Sequence, residues 1–410
     1  MKSMKLRRII CFMLSLLLLT AVFNTGTVQA EPGTTGIVYS YLTMLEDNGY
    51  IYYIQTLQDS KDSYSYDIYR FNPVTGDKNK IVSSDNGFRS MVVYNNVLYY
   101  TSNETDSIEY TTYSISVKGE NQQTVSKGTV LYADKKGIYY LVEKDTKKLL
   151  YMKSHADKKS VLLYTGNSSF DFIKSIGTTL YFGQYKEATS KIQLLSLKSG
   201  NTKPTVLSSL KAEQVSDQSP IISDIISIKG NLYYQFGTYQ GSGNFWYGTL
   251  VKYSNTEKTT SIIHDNMTTD FLTYSTDKIY FDELGNYSVY YTYNVNTNKL
   301  TSSNINYPGT VTIVNKYSYR IKLDEKKYIT LSRFTSGTNN KNLVTDFIKI
   351  AYTPDSKFDY SAGITALGKY LLIPVECTDY NDPDYGWRGK VISIKWYVAD
   401  LNGKILADFQ

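Results

Sequence analysis

The sequence predicts an all-β protein, a β-propeller of four-stranded antiparallel blades, eight in number, with seven as the alternative count. Three observations carry this reading. A short aromatic phrase returns about every 40 to 50 residues, the period of a propeller blade. An alternating strand, a polar turn and another strand follow each copy. Beyond residue 30 no stretch sustains the 3.6-residue apolar period of a helix.

The aromatic phrase is a small turn, an aliphatic residue and two aromatics. It reads Asn48-Gly49-Tyr50-Ile51-Tyr52-Tyr53, then Asn96-Val97-Leu98-Tyr99-Tyr100, then Lys136-Gly137-Ile138-Tyr139-Tyr140. It returns as Thr178-Thr179-Leu180-Tyr181-Phe182, Gly230-Asn231-Leu232-Tyr233-Tyr234 and Asp277-Lys278-Ile279-Tyr280-Phe281. Tyr317-Ser318-Tyr319 and Gly368-Lys369-Tyr370-Leu371-Leu372 are weaker copies. Each phrase is expected to be the second strand of its blade. An apolar strand such as Met91-Val92-Val93-Tyr94 precedes it as the first. The third and fourth come from pairs such as Asp67-Ile68-Tyr69-Arg70-Phe71 with Lys80-Ile81-Val82, across the turn at 72–76. Residues 149–151 pair in the same way with 161–164, 191–197 with 205–207, and 288–295 with a strand from Lys299. One such unit cannot bury both faces of its sheet, whereas a ring of them can. The least regular unit lies at 309–346, where the aromatic pair is broken.

Composition agrees. Tyr, at 41 residues, is the outlier. Its ring packs on a half-buried pleated surface while its hydroxyl reaches water, so tyrosine suits strands and also sugar-stacking platforms. Lys2, Lys5, Arg7 and Arg8 are the charged residues of 1–30, and removing those four leaves 40 basic against 38 acidic residues. A chain so near neutrality lacks the concentrated basic surface of a dedicated nucleic-acid binder.

Residues 1–30 read as a secretory signal peptide. The four basic residues precede an apolar run over 9–23, short for a membrane span, and Val28-Gln29-Ala30 supplies the small residues of a cleavage site after Ala30. The alternative is an uncleaved membrane anchor. Cys11 lies too early in the run for a lipidated cysteine, and cleavage leaves Cys377 as the one cysteine. An exported protein of this size with no internal disulfide fits a Gram-positive bacterium. Residues 31–410 are then one secreted domain.

The stretch Asn96-Val97-Leu98-Tyr99-Tyr100-Thr101-Ser102-Asn103, followed by an Ile-Tyr-Arg type strand, resembles the bacterial DUF5050 propellers, relatives of the YWTD propellers of the low-density-lipoprotein-receptor family. Tyr100 and Ser102 stand where that motif has Trp and Asp. The resemblance implies a propeller in a surface or extracellular setting and no particular activity.

Connections between second and third strands are expected to be long and varied, at 57–65, 103–109, 237–247 and 376–390, and to gather on one face of the disc. Loops on a rigid scaffold carry binding sites. Two hold aromatics that suit a carbohydrate or peptide platform. One has Tyr239, Phe245, Trp246 and Tyr247 after flexible glycines; the other has Tyr385 and Trp387. In the second, Asp379, Asn381, Asp382 and Asp384 offer oxygen ligands for calcium, but their order does not follow the helix–loop–helix motif. No cofactor or metal is expected.

Catalytic constellations are thin. His155, in a polar turn, and His264, beside Asp265, are the two histidines, so a zinc site or a histidine-based nucleophile is not expected. Ser83-Ser84-Asp85-Asn86-Gly87 opens like a sialidase Asp-box but lacks its closing aromatics and follows a fourth strand. The expected function is a secreted, non-catalytic binding or scaffold propeller for an extracellular or cell-wall protein or glycan. The alternative is a carbohydrate-active enzyme with a carboxylate pair in a central pocket.

Overall fold

The computed structural model describes residues 44–60, 63–103, 109–214, 218–240, 245–267, 273–274, 277–282, 289–304, 311–314, 317–324, 328–335, 344–351, 359–362, 364–367, 369–379 and 390–409. They form eight antiparallel sheets, each an up-and-down meander in chain order. Blade 1 is Met44–Asp47, Tyr50–Ser60, Ser63–Phe71 and Lys78–Ser84. Blade 2 is Ser90–Tyr94, Val97–Asn103, Tyr110–Ser116 and Gln123–Lys127. Blade 3 is Thr129–Ala133, Gly137–Lys144, Lys147–Ser154 and Ser160–Asn167. Blade 4 is Asp171–Ile176, Thr179–Lys186, Lys191–Lys198 and Thr205–Lys211; blade 5 is Ile221–Ile228, Asn231–Gln240, Phe245–Ser254 and Thr259–Met267. Blade 6 is Thr273–Tyr274, Lys278–Asp282, Val289–Asn294 and Lys299–Asn304. The irregular unit forms a complete blade 7, Val311–Val314, Tyr317–Asp324, Tyr328–Thr335 and Val344–Ala351. Blade 8 splits its first strand into Asp359–Ala362 and Thr365–Leu367, both paired with Tyr370–Asp379, and continues with Lys390–Asp400 and Ile405–Phe409. This is the eight-bladed propeller class that the repeat predicted.

The blades fall into two compact units, one of blades 1 to 5 and one of blades 6 to 8 (Asp282 belongs with the first). In the first unit the first strands are innermost. Ser90–Tyr94 lies against Thr129–Ala133, and Asp171–Ile176 against Ile221–Ile228.

Local chemistry explains the meander. Asn48-Gly49, Asn95-Asn96 and Lys229-Gly230 all have positive φ (51 and 82, 51 and 61, 50 and 77°), the signature of two-residue type I′ turns whose twist matches that of the strands they join. Fourth strands are mostly exposed and polar, as blade edges should be. They also share a bulge. Register skips Ile81, Val125, Leu163, Leu207, Ile263 and Leu406 on the fourth strands of blades 1 to 5 and 8. A bulge twists an edge strand and disfavours pairing with another sheet.

The two aromatics of the repeated phrase do different work. The second stacks inside its own blade on a ring of the third strand: Tyr53 on Tyr69, Tyr100 on Tyr113, Tyr140 on Tyr151 and Phe281 on Tyr291, with ring centres 5.4 to 5.6 Å apart. The first three pairs are direct cross-strand neighbours. Such pairs are worth about 0.5–1.5 kcal/mol beyond the area they bury.

The first aromatic points the other way, to the turn between third and fourth strands of the next blade. Tyr139 donates to Ser199 Oγ at 3.3 Å and accepts from the Gly200 amide at 3.1 Å. Tyr319 donates to the Leu401 carbonyl at 3.3 Å. Tyr99 meets the same turn of blade 3 through the His155 ring, 6.4 Å between centres.

Two expectations are corrected. Residues 57–60 with 63–65, and 237–240 with 245–247, are paired strands and not open loop. Gln58 pairs with Tyr64 and Ser60 with Ser63, while Thr238 pairs with Tyr247 and Gln240 with Phe245. These stretches are hairpin arms that lengthen the second strands of blades 1 and 5 to 11 and 10 residues, against 7 or 8 in blades 2 to 4.

Candidate functional site

The blade 5 hairpin carries four of the sequence-selected residues. Tyr239 and Trp246 are cross-strand neighbours and meet edge to face, ring centres 5.0 Å apart. Trp246 is only 3% exposed, so its indole is not displayed to solvent. The cause is local: a Cβ on Gly248, two residues on and on the same face, would collide with the indole Nε1, so the glycine lets the ring fold down onto the sheet. Tyr247 projects from the opposite face of its strand; it and Tyr239 are half-buried. Phe245 pairs through its backbone with Gln240. Tyr385, Trp387 and most of the calcium-like loop lie outside the described residues, as does the leader.

A second constellation was not selected from the sequence. At the end of the blades where second strands pass to third strands, charges alternate across the first unit. Arg89 precedes the first strand of blade 2 and donates to Glu143 of blade 3 at 3.2 Å. Glu143 is the cross-strand neighbour of Lys148, which donates to Asp171 of blade 4 at 2.9 Å. On the same first strand, Lys174 pairs with Asp224 of blade 5, which also accepts the Ile225 amide at 2.8 Å. Each of the three contacts joins neighbouring blades. The Arg89 guanidinium also lies over the Tyr110 ring, 4.2 Å from its centre.

The pairs differ in setting. Lys174 and Asp224 are buried, with side chains 13 and 4% exposed. The Asp171 side chain is 59% exposed. Even so, crowding by surrounding protein pushes its carboxyl above the usual carboxylate range, against the pull of Lys148, and Glu143 adds to the rise. Arg89, Glu143, Lys148 and Asp171 form a charged cluster that runs from blade 2 to blade 4. One sequence signal was available: Arg89 immediately precedes the first strand of blade 2, and Asp171 begins the first strand of blade 4.

The histidines have structural surroundings. His155 stacks on Tyr94, ring centres 5.7 Å apart, and its Nε2 lies 2.9 Å from the Asp134 carbonyl. His264 sits within the fourth strand of blade 5, opposite Leu250. Ser83 and Ser84 end the fourth strand of blade 1, where Ser83 donates to Asp67 at 2.6 Å. Among the described residues no group of three or more His, Cys, Asp or Glu is arranged to hold a metal, and no helix is long and apolar enough to cross a membrane.

No family model matches the sequence, and no curated protein does. Solved structures similar to the chain include a prolyl endopeptidase (8% identity, 91% of this chain and 57% of that one, TM-score 0.49). The β-propeller domain of the Trilobed protease from Pyrococcus furiosus is another (10% identity, 90 and 99% covered, TM-score 0.44). A eukaryotic initiation factor is a third (10%, 92 and 96%, 0.48). The chain thus spans 57% of the length of the prolyl endopeptidase. Each is a similarity of strand arrangement, at identities too low to bring an activity with it.

Proposed function

We propose that the protein is an exported, non-catalytic binding or scaffold propeller that holds an extracellular or cell-wall protein or glycan on the end of the blades bearing the second-to-third-strand connections. The export part rests on the leader at 1–30 and accords with the resemblance to DUF5050 propellers. The observation that carries the binding part is the partly exposed cluster of alternating charges, Arg89, Glu143, Lys148 and Asp171, at that end. The same end carries the blade 5 arm with half-buried Tyr239 and Tyr247. Fixed opposite charges beside tyrosine rings discriminate polar ligands by geometry, and rigid strands hold them in place.

The test is retention on a cell-wall preparation and a glycan array, comparing the purified chain with Arg89→Gln and Tyr247→Ala variants. Specific retention that falls tenfold or more in a variant with unchanged melting temperature supports the reading. Equal retention by all three proteins sinks it.

One observation favours a second reading. Glu143 and Asp171 are carboxylates within electrostatic reach of each other, and the raised Asp171 suits a general acid. Turnover of a polysaccharide that is abolished by both Glu143→Gln and Asp171→Asn would establish a hydrolase or lyase instead.

A further inference from the structure

We propose that blade 5 binds a neutral hydroxyl oxygen, supplied by water or by a sugar, between the side-chain amide of Gln235 and the indole N–H of Trp246. Gln235 is 0% exposed, yet neither its Nε2 nor its Oε1 has a hydrogen-bond partner. Trp246 is nearly as buried, and its Nε1 has none either. Buried polar side chains are almost always satisfied, because an amide stripped of water and left unbonded is costly. Two such side chains on one hairpin mark a place built for a partner.

Register puts them on one face. Gln235 is paired with Leu250, Gly237 with Gly248, and Tyr239 with Trp246. Residues two apart on a strand share a face, so Gln235 and Trp246 flank a cross-strand pair of glycines. Neither glycine has a side chain to offer a hydrogen bond, and the indole Nε1 lies over Gly248, on the side toward Gln235.

The donor and acceptor inventory selects the guest. The amide brings two N–H donors and one carbonyl acceptor, and the indole brings one N–H. A hydroxyl oxygen accepts from the indole and the amide N–H and returns its own hydrogen to the amide carbonyl. An anion is disfavoured because Asp224, the other cross-strand neighbour of Gln235, is a buried carboxylate that already engages the adjacent cation, Lys174. A cation is disfavoured because donors outnumber acceptors. The inference is independent of the function proposed above, since water satisfies these atoms as well as a sugar does.

The experiment uses the full chain labelled with ¹⁵N in its tryptophan indoles. The Trp246 peak is assigned by its loss in Trp246→Phe. A nuclear Overhauser contact from the Trp246 N–H to a long-lived water establishes the water source. A peak shift on adding millimolar mono- or disaccharides establishes the sugar source. In either case Gln235→Met, which keeps the volume and removes the hydrogen bonds, lowers the melting temperature by a few degrees. The proposal is overturned by a Trp246 N–H in wild type with neither water contact nor sugar shift. A rise in melting temperature in Gln235→Met, the sign of relief from an unsatisfied amide, overturns it as well.

Discussion

Tyr139 of blade 3 and Ser199 of blade 4, 60 residues apart in sequence, are joined hydroxyl to hydroxyl at 3.3 Å. The same Tyr139 oxygen accepts the Gly200 amide. Together the two bonds fix the outer turn of one blade to the wall of the blade before it.

Tyr139→Phe keeps the ring and removes both bonds. Each such bond contributes about 0.5–1.5 kcal/mol net, and the Gly200 amide, being at a surface turn, regains water. The expected loss is therefore about 1 kcal/mol in urea unfolding with unchanged slope. Tyr139→Ala also empties a fully buried site and is expected to cost about 3–5 kcal/mol. Unchanged stability in Tyr139→Phe would show that the hydroxyl contributes nothing.

The ionic chain separates buried from open pairs. Lys174→Met leaves Asp224 as an uncompensated buried carboxylate, so a loss of about 3–5 kcal/mol is expected. Adding Asp224→Asn to that variant removes the stranded charge and recovers most of the loss. Glu143→Gln breaks an open pair with Arg89 and is expected to change stability by under about 1 kcal/mol, an effect that fades at high salt. A double-mutant cycle at low and high salt measures both.

Burial of tyrosine makes stability sensitive to alkali. Tyr52 and Tyr100 have hydroxyls pushed up to about 12 by burial, and Tyr53, Tyr132 and Tyr234 are raised for the same reason. The ordinary value for tyrosine is 10.0. Below pH 10 both folded and unfolded chains hold these protons, and stability does not depend on them. Between pH 10 and 12 the unfolded chain releases protons that the folded chain keeps, so stability falls as pH rises. At about 1.4 kcal/mol per pH unit, Tyr52 and Tyr100 each withdraw roughly 2–3 kcal/mol across that window. Melting temperature is expected to be flat from about pH 7 to 9.5 and to collapse above 10, and Tyr100→Phe is expected to soften the collapse.

The fold was legible because the aromatics of the repeat keep the same two jobs in several blades. Tyr100 must stack across its own sheet and Tyr99 must reach the next, so both return at fixed spacing. The hairpin arms were not legible. At Gln58 to Ser60 the sequence is polar throughout, so no apolar–polar alternation distinguishes strand from loop. The burial of Trp246 was hidden for another reason, since it depends on a glycine two residues away whose meaning is clear only once the register is known. The charged cluster was hidden by distance: Arg89 and Glu143 are 54 residues apart, Lys148 and Asp171 are 23 apart. No local pattern couples them.

Neighbouring aromatics of the blade 5 arm should therefore behave oppositely. Trp246→Ala removes a buried ring and is expected to cost about 3–5 kcal/mol. A loss of ligand retention in that variant would be read through its stability and would not by itself locate a binding surface. Tyr247 is half-buried and projects from the other face of the same strand, so truncating it removes less packing. Tyr247→Ala is expected to lower stability by about 1 kcal/mol or less and to carry any direct effect on retention. Paired melting and retention curves separate the two. If Tyr247→Ala melts and binds as wild type while a milder Trp246→Phe loses retention without losing stability, the indole N–H and not the exposed ring face is the group that meets the ligand.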